Sequence, residues 1–85
     1  MNRAEIKHVV QQQIVELVTV LQGVKRNRLI LDLAAEFQSL TNEEIMNEID
    51  KALNAHVITE LTCLLPDNKV VTFYVPKGTQ VKIND

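Results

Sequence analysis

The sequence predicts an α+β fold in which three helices precede a β-hairpin. Thr41 and Glu44 have the Ser/Thr-x-x-Glu spacing of a capping box, which begins a helix. Beyond His56 the helical spacing of apolar residues gives way to an alternation from Leu61 to Leu65, as in a half-buried strand. With 85 residues, the chain is long enough for one small core, so we expect a single domain over residues 1–85.

The first predicted helix runs from about Arg3 to Gln22, and Gly23 is expected to end it in a left-handed conformation. Its apolar residues cover roughly half of the helix circumference, which is wider than a helix resting on one small core requires. Val15 and Val18 are then the residues least needed by the domain itself. We expect this surface to self-associate or to dock on a protein partner, and the alternative is a deeply buried helix.

A second helix is predicted from Arg28 to Gln38, with Asn27 as its N-cap. Only three residues, Gln38-Ser39-Leu40, separate it from Thr41, and this is the spacing of a helix-turn-helix joint. The third helix is predicted from Asn42 to Asn54. Its buried stripe is expected to contain Ile45, Ile49, Ala52 and Leu53.

A hairpin is predicted around the turn Pro66–Lys69, because proline presets φ and asparagine tolerates a left-handed conformation. One face of the hairpin is expected to cover the helices with Leu61, Cys63, Leu65, Val71, Phe73 and Val75. The other face would then leave Leu64, Val70 and Tyr74 as an apolar patch for a partner to cover. Val81 and Ile83 suggest a short final strand.

The stretch with Leu33-Ala34, then Leu40-Thr41-Asn42-Glu43-Glu44-Ile45, then Ile49-Asp50-Lys51-Ala52-Leu53-Asn54-Ala55-His56-Val57-Ile58 resembles the winged-helix superfamily. The likeness extends from about Leu29 to Val75. It implies a long N-terminal helix over residues 1–22 and a helix-turn-helix plus wing over residues 24–85. It also implies two common uses, DNA reading and protein docking, and in DNA readers the helix from Asn42 to Asn54 would enter the major groove.

The exposed side of this third helix is expected to be acidic, with Glu43, Asn47, Glu48 and Asp50. Carboxylates would approach phosphates spaced at one charge per about 1.7 Å of duplex axis. No arginine lies on the helix to read guanine, which is the commonest specific contact. The sequence therefore favours a protein partner at this helix, within a regulatory or nucleic-acid-handling complex.

DNA binding is the alternative function, because Lys25, Arg26 and Arg28 cluster where positioning contacts to phosphate are often made. Lys69 in the hairpin turn would extend this patch. On this interpretation the chain is a small homodimeric transcription regulator that contacts the DNA backbone. A solvated basic loop is the structural explanation of the same residues.

Composition argues against an enzyme and against a membrane protein. Nine basic and eleven acidic residues give a net charge of −2, and Cys63 is the one cysteine. It alternates with Leu61 and Leu65, so we expect it in the core. His8 and His56 have no spacing with Cys63 that suggests zinc ligation or catalysis, so we expect neither a metal nor a cofactor. Without an apolar leader or span, a cytoplasmic, reducing location is expected.

Overall fold

The computed structural model describes residues 2–79 and has α+β architecture, with three helices and a three-stranded antiparallel sheet. In chain order the elements are α1 (Arg3–Leu21), β1 (Val24–Lys25), α2 (Arg26–Glu36), α3 (Asn42–Asn54), β2 (Ile58–Leu64) and β3 (Val70–Pro76). The α+β class, the long first helix and the hairpin are confirmed. The strand expected at Val81 and Ile83 lies outside the described residues.

Asn2 is the N-cap of α1, and its side chain accepts the backbone N–H of Glu5 at 2.8 Å. The helix ends one residue earlier than predicted. Gln22, with φ of 55°, takes the left-handed cap position that was expected at Gly23, and its N–H donates to the Thr19 carbonyl. Gly23 follows with φ of 144°, a conformation that L side chains rarely adopt. These two consecutive positive φ angles turn the chain from α1 into β1.

The expected connection between α1 and α2 contains β1, a strand too short to be visible as a hydrophobic period. Val24 pairs with Tyr74 and Lys25 pairs with Phe73, so Lys25 is extended immediately before α2. Helix α2 therefore begins at Arg26, and Asn27 lies inside the helix instead of capping it. Tertiary pairing with β3, and not a side-chain cap, sets this helix start.

Helix α3 confirms the capping box. The Glu44 N–H donates to Thr41 Oγ1 at 3.1 Å, and the Thr41 N–H donates to Glu44 Oε1 at 3.1 Å. Arg3 also pairs with the Glu44 carboxylate and so ties the start of α1 to the start of α3. The hydrogen bond from Arg3, followed by that from the Thr41 backbone, lowers the pKa of Glu44 below its ordinary value. At the far end, His56 adopts a φ of 58° as the chain turns into β2.

The sheet has the strand order β1-β3-β2, and β2 pairs with β3 along all seven of its residues. The pairing runs from Ile58 opposite Pro76 to Leu64 opposite Val70. Ile58, Tyr74 and Val24 lie on one face and are buried in the core with the helices.

The predicted facing of the hairpin is therefore wrong along most of its length, and of the six residues expected over the helices only Val75, at the base, is buried. Leu61, Val71 and Phe73 lie on the face opposite Tyr74 and are only partly buried, and Cys63 on that face is exposed. Leu65 lies beyond β2 and is also exposed. Both faces of the hairpin carry large apolar residues, so alternation alone does not decide which one is inside, and a shift of one residue reverses every side chain. The burial of Ile58, directly after the turn at His56, decides it.

The core lies between the helices and the base of the sheet. On each helix the buried side chains recur at the spacing of one narrow stripe. The fully or almost fully buried apolar residues of the helices are Val10, Ile14 and Val18 of α1, Leu29 and Leu33 of α2, and Ile45, Ile49 and Ala52 of α3.

Candidate interaction surfaces

The α1 surface predicted for self-association is smaller than expected. Val18 is fully buried, because it continues the four-residue spacing of Val10 and Ile14 on the core stripe. Val15 is half-buried, and beside it Val20 is 72 % exposed. Both lie along an open groove of about 760 Å³, whose lining consists of Gln11, Gln12, Val15, Glu16, Thr19, Val20, Ala55 and Val57.

Helix α3 exposes three of its four predicted surface residues, Glu43, Asn47 and Asp50. Glu48 is only 2 % exposed, so its expected place on the surface is wrong. It lies three residues after Ile45 and four before Ala52, which places it on the buried stripe. This spacing was visible in the sequence, but a carboxylate at such a position was read as exposed.

The buried Glu48 is fully partnered. Gln11 Nε2 donates to the Glu48 carbonyl oxygen at 2.6 Å and to its Oε1 at 3.2 Å. Lys51 Nζ lies 3.0 Å from the other carboxylate oxygen. These contacts offset the desolvation of the charge, so Glu48 serves the packing of α1 on α3 and is not available to a partner.

The far end of the hairpin carries an apolar surface that we call the ribbon tip, composed of Leu64, Leu65 and Val70. Leu64 is 70 % exposed and its cross-strand partner Val70 is 64 % exposed. The turn beyond them is nearly neutral, because Lys69 Nζ lies 3.8 Å from an Asp67 carboxylate oxygen. The ribbon tip is therefore apolar without a free cation at its end.

Tyr74 does not belong to this exposed surface, although it lies on the same face as Leu64 and Val70. It is 2 % exposed, because it sits at the base of the hairpin, where the helices cover the sheet. Burial raises the pKa of the Tyr74 hydroxyl above its ordinary value. The positive charge of Arg26 opposes this effect, and the negative charges of Glu60 and Asp50 add to it.

The basic residues of the predicted patch, Lys25, Arg26 and Arg28, lie at β1 and the start of α2, and all three are exposed. Arg28 is paired with Asp32, with Nε 3.2 Å from Oδ1. Lys25 and Arg26 make no ion pair within residues 2–79. They line a groove together with Asn27 and the β3 segment 70–72. Lys69 lies near Asp67 at the hairpin turn. Lys25 and Arg26 are therefore the residues of the predicted basic patch that have no carboxylate within ion-pair distance in the described residues.

Two exposed apolar residues of the helices were not singled out from the sequence. Leu31 of α2 is 66 % exposed, and Met46 of α3 lies between exposed polar neighbours. At roughly 100° per residue, Leu31 falls on the side of α2 opposite Leu29 and Leu33. Its helical position was therefore a usable signal for an outward apolar side chain.

Within the described chain, no three or more His, Cys, Asp or Glu side chains come together as a potential metal site. None of its helices is long and apolar enough to cross a membrane. No family model, no curated protein and no solved structure matches this chain.

Proposed function

We propose that the chain is a non-enzymatic winged-helix module that docks on a protein partner, as part of a regulatory or nucleic-acid-handling complex. The order of three helices followed by a hairpin supports this proposal. So does the short joint between α2 and α3, although its five residues, 37–41, exceed the three that were predicted, because α2 ends at Glu36 and not at Gln38. In this arrangement α3 is the helix presented to a partner, and β2 with β3 forms the wing.

The observation that carries the proposal is the exposed ribbon tip. Leu64 and Val70 lie opposite each other and both leave most of their side-chain surface in water. Burying apolar surface contributes about 25 cal/mol per Å², so a partner that covers both residues gains affinity from them. A wing that follows a phosphate backbone needs cations at this place, and the charge of Lys69 is balanced by the Asp67 carboxylate 3.8 Å away.

The exposed side of α3 defines the chemistry of that partner. Glu43, Asn47 and Asp50 flank Met46, so a flexible apolar side chain stands among carboxylates and an amide. A complementary surface has an apolar pocket bordered by lysine or arginine. An acidic helix of this kind repels nucleic acid and attracts a basic protein surface.

The test is a comparison of proteins captured by wild type and by the double variant Leu64→Asp with Val70→Asp. We expect the variant to lose a partner that the wild type retains, because the ribbon tip becomes charged. The matched control is Thr62→Asp with Thr72→Asp, the adjacent cross-strand pair on the same face. This control adds the same charge but removes only the threonine methyl groups and no large apolar side chain, so it should retain the partner. Equal capture by all three proteins contradicts docking through the ribbon tip.

DNA binding is the second candidate, and one observation favours it: Lys25 and Arg26 are exposed and without ion pairs in the described residues, beside β3. A homodimer with this patch would contact phosphates through Lys25, Arg26 and Arg28. Titration of a nonspecific duplex at low salt then gives binding that weakens steeply as salt is added. Loss of binding in Lys25→Ala with Arg26→Ala, but not in Lys77→Ala, would support it, and absence of binding at low salt excludes it.

The location we propose for this module is the cytoplasm. The one cysteine, Cys63, is exposed and unpaired by any disulfide. A free surface thiol is typical of proteins in reducing compartments.

A further inference from the structure

Within residues 2–79, the outer edge of β2 is an unpaired sheet edge. In the order β1-β3-β2, one side of β2 pairs with β3, and no strand of residues 2–79 pairs with its other side. Natural edge strands are usually short, bulged, interrupted by proline or charged. Strand β2 has seven residues in unbroken register, contains no proline or glycine, and carries Glu60 as its one charge.

The opposite edge of the sheet differs. Strand β1 covers only Tyr74 and Phe73 of β3, which leaves the β3 segment 70–72 beyond it. Lys25 and Arg26 lie against this segment and line one groove with it. Cations of this kind discourage strand addition. In the part of the chain that the structure describes, the edge that remains open for pairing is therefore that of β2.

We propose that this β2 edge pairs antiparallel with the β2 edge of a second copy of the chain, giving a continuous six-stranded sheet across a two-fold axis. The inference does not depend on the proposed function. A second copy fits this edge because the sequence of β2 matches itself when reversed about Leu61: apolar residues meet apolar residues, and Glu60 meets a threonine.

Charge and length select one register. An axis through Glu60 would set two carboxylates opposite each other, which destabilises a strand pair. An axis through Leu61, the central residue of β2, pairs the whole strand and avoids that contact. The resulting opposite residues are Leu61 with Leu61, Glu60 with Thr62, Thr59 with Cys63, and Ile58 with Leu64. The partly exposed Leu61 gains an apolar neighbour in its own copy.

The interface is small. Two seven-residue strands bury less than the roughly 1,600 Å² of a standard stable interface, so we expect a dissociation constant in the micromolar range or weaker. The first measurement is light scattering after size exclusion, as a function of concentration. A strict monomer at a chain concentration on the order of 1 mM overturns the proposal.

Disulfide trapping tests the register. In Thr59→Cys, the introduced thiol lies opposite Cys63 of the second copy, at a Cα separation of about 4.5–5.5 Å that a disulfide can span. Mild oxidation should give a covalent dimer that reducing agent reverses. The control Thr62→Cys is also on β2 and exposed, but there the new thiol faces Glu60 and Cys63 faces Thr59. Equal trapping in both variants, or none in Thr59→Cys, overturns this pairing.

Substitutions of opposite charge at position 62 should change the dimer affinity in opposite directions. Thr62→Glu sets a carboxylate opposite Glu60 twice in each dimer and should weaken dimerisation by about 2- to 30-fold, whereas Thr62→Lys should strengthen it by a similar factor. Thr72, which pairs with Thr62 inside one chain, supplies the controls Thr72→Glu and Thr72→Lys. These change the charge equally but lie away from the edge, and we expect little effect. A dimer that responds alike to both positions associates through another surface, such as α1, and overturns the proposal.

Discussion

The base and the tip of the hairpin have the same register and the same face but opposite environments. At the base, Ile58 and Tyr74 are buried with the helices, whereas Leu64 and Val70 at the tip are mostly exposed. Ile58 and Leu64 are both large aliphatic residues on one strand, an even number of positions apart. Their side-chain direction is therefore the same, and the difference arises from how far the helices extend along the ribbon. Apolar character identifies the face of a strand, and only the packed helices decide which part of that face is core.

The largest expected effect contrasts Ile58→Ala with Leu64→Ala. Ile58→Ala leaves a cavity in the core and should reduce the free energy of unfolding by about 2–5 kcal/mol. Leu64→Ala removes an exposed side chain and should change it by no more than about 0.5 kcal/mol. Urea denaturation followed by circular dichroism measures both. Similar losses for the two variants would mean that the tip is packed as tightly as the base.

A second, smaller effect concerns alkaline pH. Because burial raises the pKa of Tyr74 above 10.0, the folded protein holds this proton more tightly than the unfolded chain. The contribution of Tyr74 to the free energy of unfolding is therefore fully present below pH 10.0, the ordinary pKa of tyrosine. It is lost as the pH rises through the higher pKa of the folded protein. We expect the melting temperature of wild type to fall more steeply above about pH 10 than that of Tyr74→Phe.

The sequence has one tyrosine and no tryptophan, so tyrosinate absorbance reports on Tyr74 alone. Ionisation of the folded protein at an ordinary tyrosine pKa, or parallel melting curves for the two proteins, would show that the base is open to water.

The smallest effect is expected at the turn beyond the tip. Asn68 has a φ of 65°, a left-handed conformation that costs alanine about 1 kcal/mol. Asn68→Ala should weaken hydrogen-exchange protection of amides near the turn, such as that of Leu65, which donates to the Lys69 carbonyl at 2.8 Å. Protection in the helices should not change, and Asn68→Gly should behave as wild type. Loss of hydrogen-exchange protection throughout Asn68→Ala would contradict this, because it would show that the turn and the core unfold together.

Local signals predicted local structure well. The capping box at Thr41 and Glu44, the bounds of α3 and the turn before Lys69 depend on nearby residues, and the structure contains all three. The start of α2 was missed because β1 pairs with a strand about fifty residues away, and no periodicity records that contact. The hairpin faces were reversed because both faces carry large apolar residues. Long-range packing decides such cases.

The predicted surface residues show the same difference between local signals and long-range packing. Leu64 and Val70 were correctly placed in water, while Val18, Glu48 and Tyr74 were not. Val18 and Glu48 lie at stripe positions that could have been read from helical spacing. The burial of Tyr74 required knowledge of where the helices end along the ribbon, which the sequence does not contain in any local form.

The contact of Gln11 with Glu48 restricts how α1 can slide along α3. Apolar stripes tolerate displacement, because one aliphatic side chain can replace another at the next turn. A slip of one helical turn, about 5.4 Å, would carry the amide of Gln11 away from both oxygens that it contacts on Glu48. The carboxylate would then stay buried with Lys51 as its remaining partner, at a desolvation cost. The two helices therefore have a single favoured alignment, set by one amide.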